Sequence, residues 1–157
     1  MADDGTKVDR LLVPGKRDVL VAWEISNHLV GGATAAEATV AMIDYGTARK
    51  AAGWRVVVLT VLPRSSPATP PEWPEQRTVA NSDLRAAFPI PGSHPRVSLP
   101  TGPSWADVLV DVAANPAIGD QGDELETTYY VDRVHMTDAG YAQVAGDVAN
   151  GVRQIVG

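Results

Sequence analysis

An aspartate and a histidine, Asp132 and His135, stand three positions apart in the stretch YYVDRVHMTDAGY, just before the last predicted helix. At this spacing the carboxylate can fold back and accept the hydrogen on Nδ1 of the imidazole. The contact would fix the tautomer of the ring and leave Nε2 free to act as a general base. Standing alone, the same spacing is more simply explained by a turn or by the start of a helix.

A second group of polar side chains, Ser26, Asn27 and His28, follows the apolar run VLVAW. The Asn27 amide can donate a hydrogen bond to an oxyanion, and losing one such donor typically costs about 3–4 kcal/mol of transition-state stabilisation. Ser26 is the candidate nucleophile, although alternation along an extended chain would aim it away from the side of Asn27. The plain alternative for this group is a turn, and water activated by His135 is the alternative nucleophile.

The remaining chemically capable residues are given structural roles. Asp132, His135 and His28 lack any standard metal-ligand spacing, so neither a metal site nor a cofactor is expected. His28 and His94 are most simply exposed loop residues, and the tyrosine pair at 129–130 is most simply core or pocket wall. The chain has no cysteine, which excludes disulfides, thiolate nucleophiles and cysteine-ligated metals.

Three short apolar strands alternate with three helices along the chain. The strands are predicted at 18–24, 54–62 and 106–113, and the helices at 34–52, 75–88 and 138–156. A capping box, Thr34-x-x-Glu37, starts the first helix. Its core face is predicted to carry Ala36, Val40, Ile43 and Thr47. The alternation calls for one α/β domain, with a parallel sheet between layers of helices and with PIPGSHP, residues 89–95, as loop.

Composition narrows the range of partners. The formal net charge is −6, whereas binding to phosphates needs clustered Lys and Arg, so nucleic acid is not expected as the main partner. The chain has no basic amphipathic stretch and no apolar run long enough to span a bilayer, so no membrane partner is expected either. Residues 1–5 are acidic and polar, which predicts no signal peptide and makes the cytoplasm the default compartment.

Five stretches together resemble the SGNH (GDSL-type) hydrolases, in order and at natural spacings. They are LVAWEISNHLVGGATAAEA, GWRVVVLTVLPR, Arg77 with Asn81 and Leu84, ADVLVDVAANPAIGD, and YYVDRVHMTDAGYAQVA. The resemblance spans nearly the whole chain. It implies a flavodoxin-like, three-layer α/β/α sandwich. It also implies an esterase or acylhydrolase that acts on a small-molecule ester with a short acyl group.

The resemblance also implies roles for individual residues. The family's Asp-x-x-His block falls on Asp132 and His135, and its Gly-x-Asn-Asp block falls on residues 25–28. Asn27 thereby takes the oxyanion position. In this second block an isoleucine and a histidine replace the family's glycine and aspartate.

The family's N-terminal nucleophile block, Gly-Asp-Ser, has no counterpart in this sequence. The resemblance therefore implies an N-terminally shortened sheet, in which the strand at 18–24 is the family's third strand. Either Ser26 is the nucleophile or the nucleophile is supplied by sequence missing here. The alternative function is that of a truncated, catalytically inactive homologue, which acts as a binding or assembly module.

Without its neighbour, the strand at 18–24 would form an open edge that no lysine or proline inside it protects. Each buried, unpaired backbone group costs about 1–3 kcal/mol. We therefore expect a homodimer or a higher homo-oligomer, in which two copies of this strand pair antiparallel. The alternative is that residues 7–13 fold over the gap.

Overall fold

The computed structural model describes residues 5–157, so the acidic residues 1–4 lie outside the described part of the chain. Its helices are α1 (Gly5–Asp9), α2 (Ile25–Val30), α3 (Ala35–Ala52), α4 (Trp73–Ala87) and α5 (Asp138–Val156). Its strands are β1 (Val19–Ala22), β2 (Arg55–Leu59), β3 (Ile90–Pro91), β4 (Val97–Leu99) and β5 (Val108–Val110). None of the helices in this range is long and apolar enough to cross a lipid bilayer.

The strands form one sheet in the order β1-β2-β5-β4-β3. β1, β2 and β5 are parallel, with Val21 opposite Val57 and Val58 opposite Leu109. Helices pack on both faces of the sheet. The predicted α/β class with three α/β/α layers is therefore confirmed, and the three predicted strands lie side by side in the expected order.

The sheet is not wholly parallel, because β3 and β4 form an antiparallel hairpin beside β5. The prediction that residues 89–95 are loop was therefore wrong for Ile90 and Pro91. Strands of two and three residues are too short to show an alternating pattern in the sequence. Proline is accommodated in β3 because this strand lies at the edge of the sheet.

Alternate residues of β2 face the two helical layers. Val56 and Val58 pack with α2, α3 and α4 on one face, whereas Val57 and Leu59 pack with α5 on the other. All four side chains are at most 1% exposed. A strand covered from both sides must be apolar throughout, which is why β2 was the clearest strand in the sequence.

Helix α3 begins and ends as predicted but buries a different face. Thr34 and Glu37 form the capping box, and Gly53 ends the helix with a φ of 114°. The predicted core face was wrong, since Val40 is 56% exposed. The buried residues are Ala35, Ala38, Met42, Gly46 and Arg49. An alanine-rich helix has no strong apolar stripe, so its rotation is decided by packing, here by the close approach of Gly46 to Trp105.

Helix α5 has the predicted limits and covers the opposite face of the sheet. Gly151 rests against Val110 of β5, so closely that a side chain at this position would overlap the valine. Gly146 on the same helix has open space around the corresponding position. The two glycines therefore differ in what they do for packing, although they lie on one helix.

We expect Gly151→Ala to destabilise the protein and Gly146→Ala to stabilise it. Overpacking a core typically costs about 1–3 kcal/mol, whereas alanine in place of an unconstrained helical glycine contributes about 0.5–1 kcal/mol. Urea unfolding followed by circular dichroism measures both changes. Equal unfolding midpoints for the two variants would contradict the close packing of α5 on β5.

Strand β1 lies at the opposite edge of the sheet from the hairpin and pairs only with β2 in the described part of the chain. Residues 7–13 add no strand to this edge. They lie beside α3 instead, where Val8 and Leu12 pack on the core and Asp9 binds Arg49. The pairing of two chains through β1 stays a prediction.

We expect the protein to form a dimer through β1, because the strand is open and Val21 is 43% exposed. Size-exclusion chromatography with light scattering gives the mass in solution. Val21→Lys places a charge in the middle of the edge and should shift the protein towards monomer. Val79→Lys on α4 is the matched control, since Val79 is also 43% exposed. A wild-type protein that stays monomeric at high concentration would refute the pairing.

Candidate active site

The carboxyl ends of β1 and β2 open into a pocket of about 240 Å³. Its walls come from the segment after β1, the segment after β2 and the turn before α5. Ser26, Asn27 and His135 all line it. Ligands of α/β proteins bind at this edge of a parallel sheet. The fold thus brings the adjacent residues Ser26 and Asn27 together with His135, which sequence analysis selected from a distant part of the chain.

Ser26 and Asn27 lie on helix α2, which begins three residues after the end of β1. The alternative of a turn, and the expectation that side chains alternate in direction here, were therefore wrong. Ile25 and Leu29 are buried on one face of this helix, and Ser26 and Asn27 reach the pocket from an adjoining part of it. The Asn27 amide donates to the carboxylate of Glu24 at 3.0 Å, so one of its two N–H groups is already bound.

The predicted contact between Asp132 and His135 is present. Oδ2 of Asp132 lies 2.7 Å from Nδ1 of His135. Its other oxygen, Oδ1, accepts the backbone N–H groups of His135 at 2.7 Å and of Val134 at 3.1 Å. A carboxylate can only accept, so a neutral ring in this contact carries its hydrogen on Nδ1 and presents an unprotonated Nε2.

The pKa of Asp132 is lowered to about 2, chiefly by the backbone N–H of His135 and then by the bond to its side chain. Burial is not the cause, because the two side chains are 72% (His135) and 52% (Asp132) exposed. Asp132 is therefore ionised at neutral pH. It orients His135 from outside the pocket, since Asp132 itself is not part of the pocket wall.

Two backbone hydrogen bonds across the turn that carries this pair hold its two arms together. They join Val131 to His135 at 2.7 Å and Thr137 to Tyr129 at 2.9 Å. Arg133 takes a φ of 66°, the left-handed region that a non-glycine residue adopts at a cost of about 1–2 kcal/mol. The hydrogen bonds that surround the Asp132 carboxylate offset this cost.

The segment after β2 is held by two buried side chains of α4. Asn81 accepts the N–H of Val61 at 2.7 Å and donates to its carbonyl at 3.0 Å. Nε of Arg77 donates to the same carbonyl at 2.9 Å, and its Nη2 donates to the carbonyl of Gly119. Arg77 and Asn81 entered the sequence analysis only through the family resemblance, and the structure shows how they fix the chain that leads to Arg64.

Arg64 is a pocket residue that sequence analysis missed. Its Nη1 lies 3.5 Å from Oγ of Ser26. Burial lowers the pKa of Arg64, and the negative charge of Asp132 partly opposes that effect. The available signal was its position just beyond the second predicted strand, at the edge of the sheet where ligands bind.

Of the other tyrosine and histidine residues considered above, Tyr130 lines the pocket and His28 does not. Tyr130 is a buried part of the pocket wall, as expected. Its hydroxyl donates to the carbonyl of Ile118 at 2.7 Å, and burial raises its pKa. The expectation that His28 is an exposed loop residue was wrong, since it lies on α2 with its Nδ1 buried; it does not line the pocket. Among the residues that the structure describes, no group of three or more His, Cys, Asp or Glu side chains could hold a metal ion.

Comparison of the chain with family models, with curated proteins and with solved structures finds no match. The assignment of an activity therefore depends on the residues of this pocket and on the family resemblance of the sequence motifs.

We expect Asp132→Asn to be less stable than the wild type at neutral pH, by a margin that narrows as the pH falls below about 4. The pKa of Asp132 is about 2 in the folded protein, against about 3.9 in an unfolded chain. The stabilisation is therefore complete above the unfolded value and is lost as the pH falls towards the folded value.

Urea unfolding at a series of pH values measures this margin. Asp83→Asn, which removes an exposed carboxylate from α4, controls for the loss of one negative charge. A margin for Asp132→Asn that does not change with pH would show that the His135 contacts do not stabilise the ionised carboxylate.

Proposed function

We propose that the protein is a carboxylester hydrolase, in which His135 is the general base and Asp132 orients it. The observation that supports the proposal is the 2.7 Å contact between the Asp132 carboxylate and Nδ1 of His135, at a pocket that Ser26 and Asn27 also line. A base, an oriented ring, a hydroxyl and an amide are the groups that acyl transfer requires.

In the proposed reaction, Nε2 of His135 accepts the proton of the attacking hydroxyl as its oxygen bonds to the carbonyl carbon of the ester. The carbonyl oxygen takes the negative charge of the tetrahedral intermediate. The bond between the carbon and the alcohol oxygen then breaks, and the imidazolium returns the proton to the leaving alcohol. With Ser26 as nucleophile, water hydrolyses the acyl-enzyme by the same steps.

Two groups are candidates for the nucleophile of the proposed reaction. Ser26 lies in the pocket with the positive charge of Arg64 beside its hydroxyl, and a nearby cation favours the alkoxide character that attack requires. The alternative is direct attack by a water that His135 activates, which gives no acyl-enzyme.

Asn27 is the proposed donor to the oxyanion. One N–H of its amide binds Glu24, and the second is the group that the proposal uses. The bond to Glu24 holds the amide plane in place, which is the pre-organisation that such a donor needs. The pocket volume of about 240 Å³ suits a short acyl group.

A binding module without turnover is the second candidate function. The observation that favours it is the exposure of the site: with His135 72% exposed, water is not excluded and electrostatic interactions are weakened by solvent. In this case the pocket would bind its ligand and leave it intact.

We expect His135→Ala to lower kcat/KM for p-nitrophenyl acetate by about 10²–10⁴-fold, the usual contribution of a general base. His94→Ala is the matched control, because His94 lies outside the pocket and any exposed histidine can cleave this ester slowly. Equal rates for the wild type and His135→Ala would refute the proposed hydrolase and favour the binding module.

The ester assay together with phosphonate labelling identifies the nucleophile. Ser26→Ala should abolish the acyl-enzyme and the covalent adduct of a serine-reactive phosphonate, which mass spectrometry assigns to a residue. Ser82→Ala, an exposed serine on α4, is the control. Full activity of Ser26→Ala without any adduct on the wild type would assign the attack to water.

A further inference from the structure

Arg64 stands out among the cations of the described chain, because it lies in the pocket without an ion-pair partner. Among the described residues, no carboxylate lies within ion-pair distance of its guanidinium, and its buried Nε has no hydrogen-bond partner. Within residues 5–157 its one polar contact is with Ser26, at 3.5 Å from Nη1, which is too long for a strong hydrogen bond.

Other arginines of this protein are treated differently. Arg85 binds Asp111 through two bonds of 2.7 and 2.9 Å, and Arg96 binds Asp147 at 2.9 and 2.7 Å. A partly buried guanidinium that has lost water without gaining an anion is unfavourable, whereas a planar carboxylate can bind its N–H groups in pairs. Among the described residues, Arg64 thus lacks the carboxylate partner that Arg85 and Arg96 have.

We propose that Arg64 determines specificity by binding a carboxylate on the substrate, so that the preferred esters carry an acidic acyl group. That the substrate is an ester rests on the proposed function. That it carries a carboxylate rests on Arg64 alone. Because Ser26 lies beside Arg64, the carboxylate would sit within a few bonds of the ester that is attacked.

The charges around the pocket favour a single negative charge on the ligand. Asp132 is close enough to act on Arg64 electrostatically, and Glu24 is bound to the neighbouring Asn27. These two carboxylates, and the formal net charge of −6 on the whole chain, repel a doubly charged phosphate about twice as strongly as a singly charged carboxylate. A monocarboxylate is balanced by Arg64, and Leu62 and Pro63 of the pocket wall suit the methylene groups that connect it to the ester.

Binding is measured first, with two amides that differ only in charge. Glutaramate carries one carboxylate and glutaramide carries none, and both are poor substrates for an esterase. The indole N–H of Trp23, which lines the pocket and donates to the carbonyl of Thr60 at 3.1 Å, reports occupancy by NMR. Glutaramate should bind the wild type about tenfold or more tightly than glutaramide, the ratio expected of one charged hydrogen-bonded pair.

The variants separate Arg64 from the general field of the protein. Arg64→Gln should bring the two affinities to within about twofold, and Arg64→Lys should keep part of the difference because it retains the charge without the planar fork. Arg133→Gln removes an exposed arginine next to Asp132, outside the pocket, and should keep the full difference. A charge preference that survives in Arg64→Gln would overturn the proposal.

Turnover separates this proposal from the hydrolase itself. The ratio of kcat/KM for mono-p-nitrophenyl glutarate over p-nitrophenyl hexanoate, each corrected for its rate without protein, should fall about tenfold or more in Arg64→Gln. Activity with an unchanged ratio would overturn the role of Arg64 and leave the hydrolase standing. Absence of turnover together with the expected binding difference would overturn the hydrolase and leave Arg64 as the residue that binds the acidic ligand.

Discussion

The pocket depends on how the chain leaves the interior strand β2. Val61 lies just beyond that strand, 1% exposed, where buried backbone groups without partners would cost about 1–3 kcal/mol each. Asn81 and Arg77 of α4 bind both its N–H and its carbonyl. These bonds fix the backbone of the segment that leads to Arg64. The pocket wall formed by this segment is therefore attached to the core of the protein.

The catalytic pair of the proposed hydrolase is built by a different means. The low pKa of Asp132, about 2, arises mainly from a backbone N–H and not from burial or a buried partner. A single turn before α5 supplies that donor, and Thr137 joins the turn to the helix by capping it. An oriented imidazole can thus exist at an open edge of the sheet, although water reaches it freely.

Two glycines determine how closely the helices pack, and one edge of the sheet is left partly exposed. Gly46 and Gly151 let α3 and α5 approach Trp105 and Val110 without a side chain between them. At the β1 edge, the part of the chain that the structure describes leaves Val21 43% exposed. The same protein therefore combines a close-packed interior with an edge strand of the kind that pairs with other chains.

The sequence by itself determined what short-range interactions control. The Thr34–Glu37 capping box, the limits of α5 and the contact of Asp132 with His135 each involve residues a few positions apart or the periodicity of one element. The alternation of strands and helices likewise determined the parallel arrangement of β1, β2 and β5, because parallel strands need helical connections.

Only the tertiary structure decided which distant residues meet. Arg64 contacts Ser26, 38 residues away in the sequence, and Val61 contacts Asn81, 20 residues away. No local sequence pattern predicts either contact. The buried face of α3, the helical form of residues 25–30 and the β3–β4 hairpin were also settled by packing, because their own sequences are too short or too uniform to choose. Long-range contacts depend on the whole fold at once, which is why sequence spacing could locate the contact of Asp132 with His135 but not Arg64 in the same pocket.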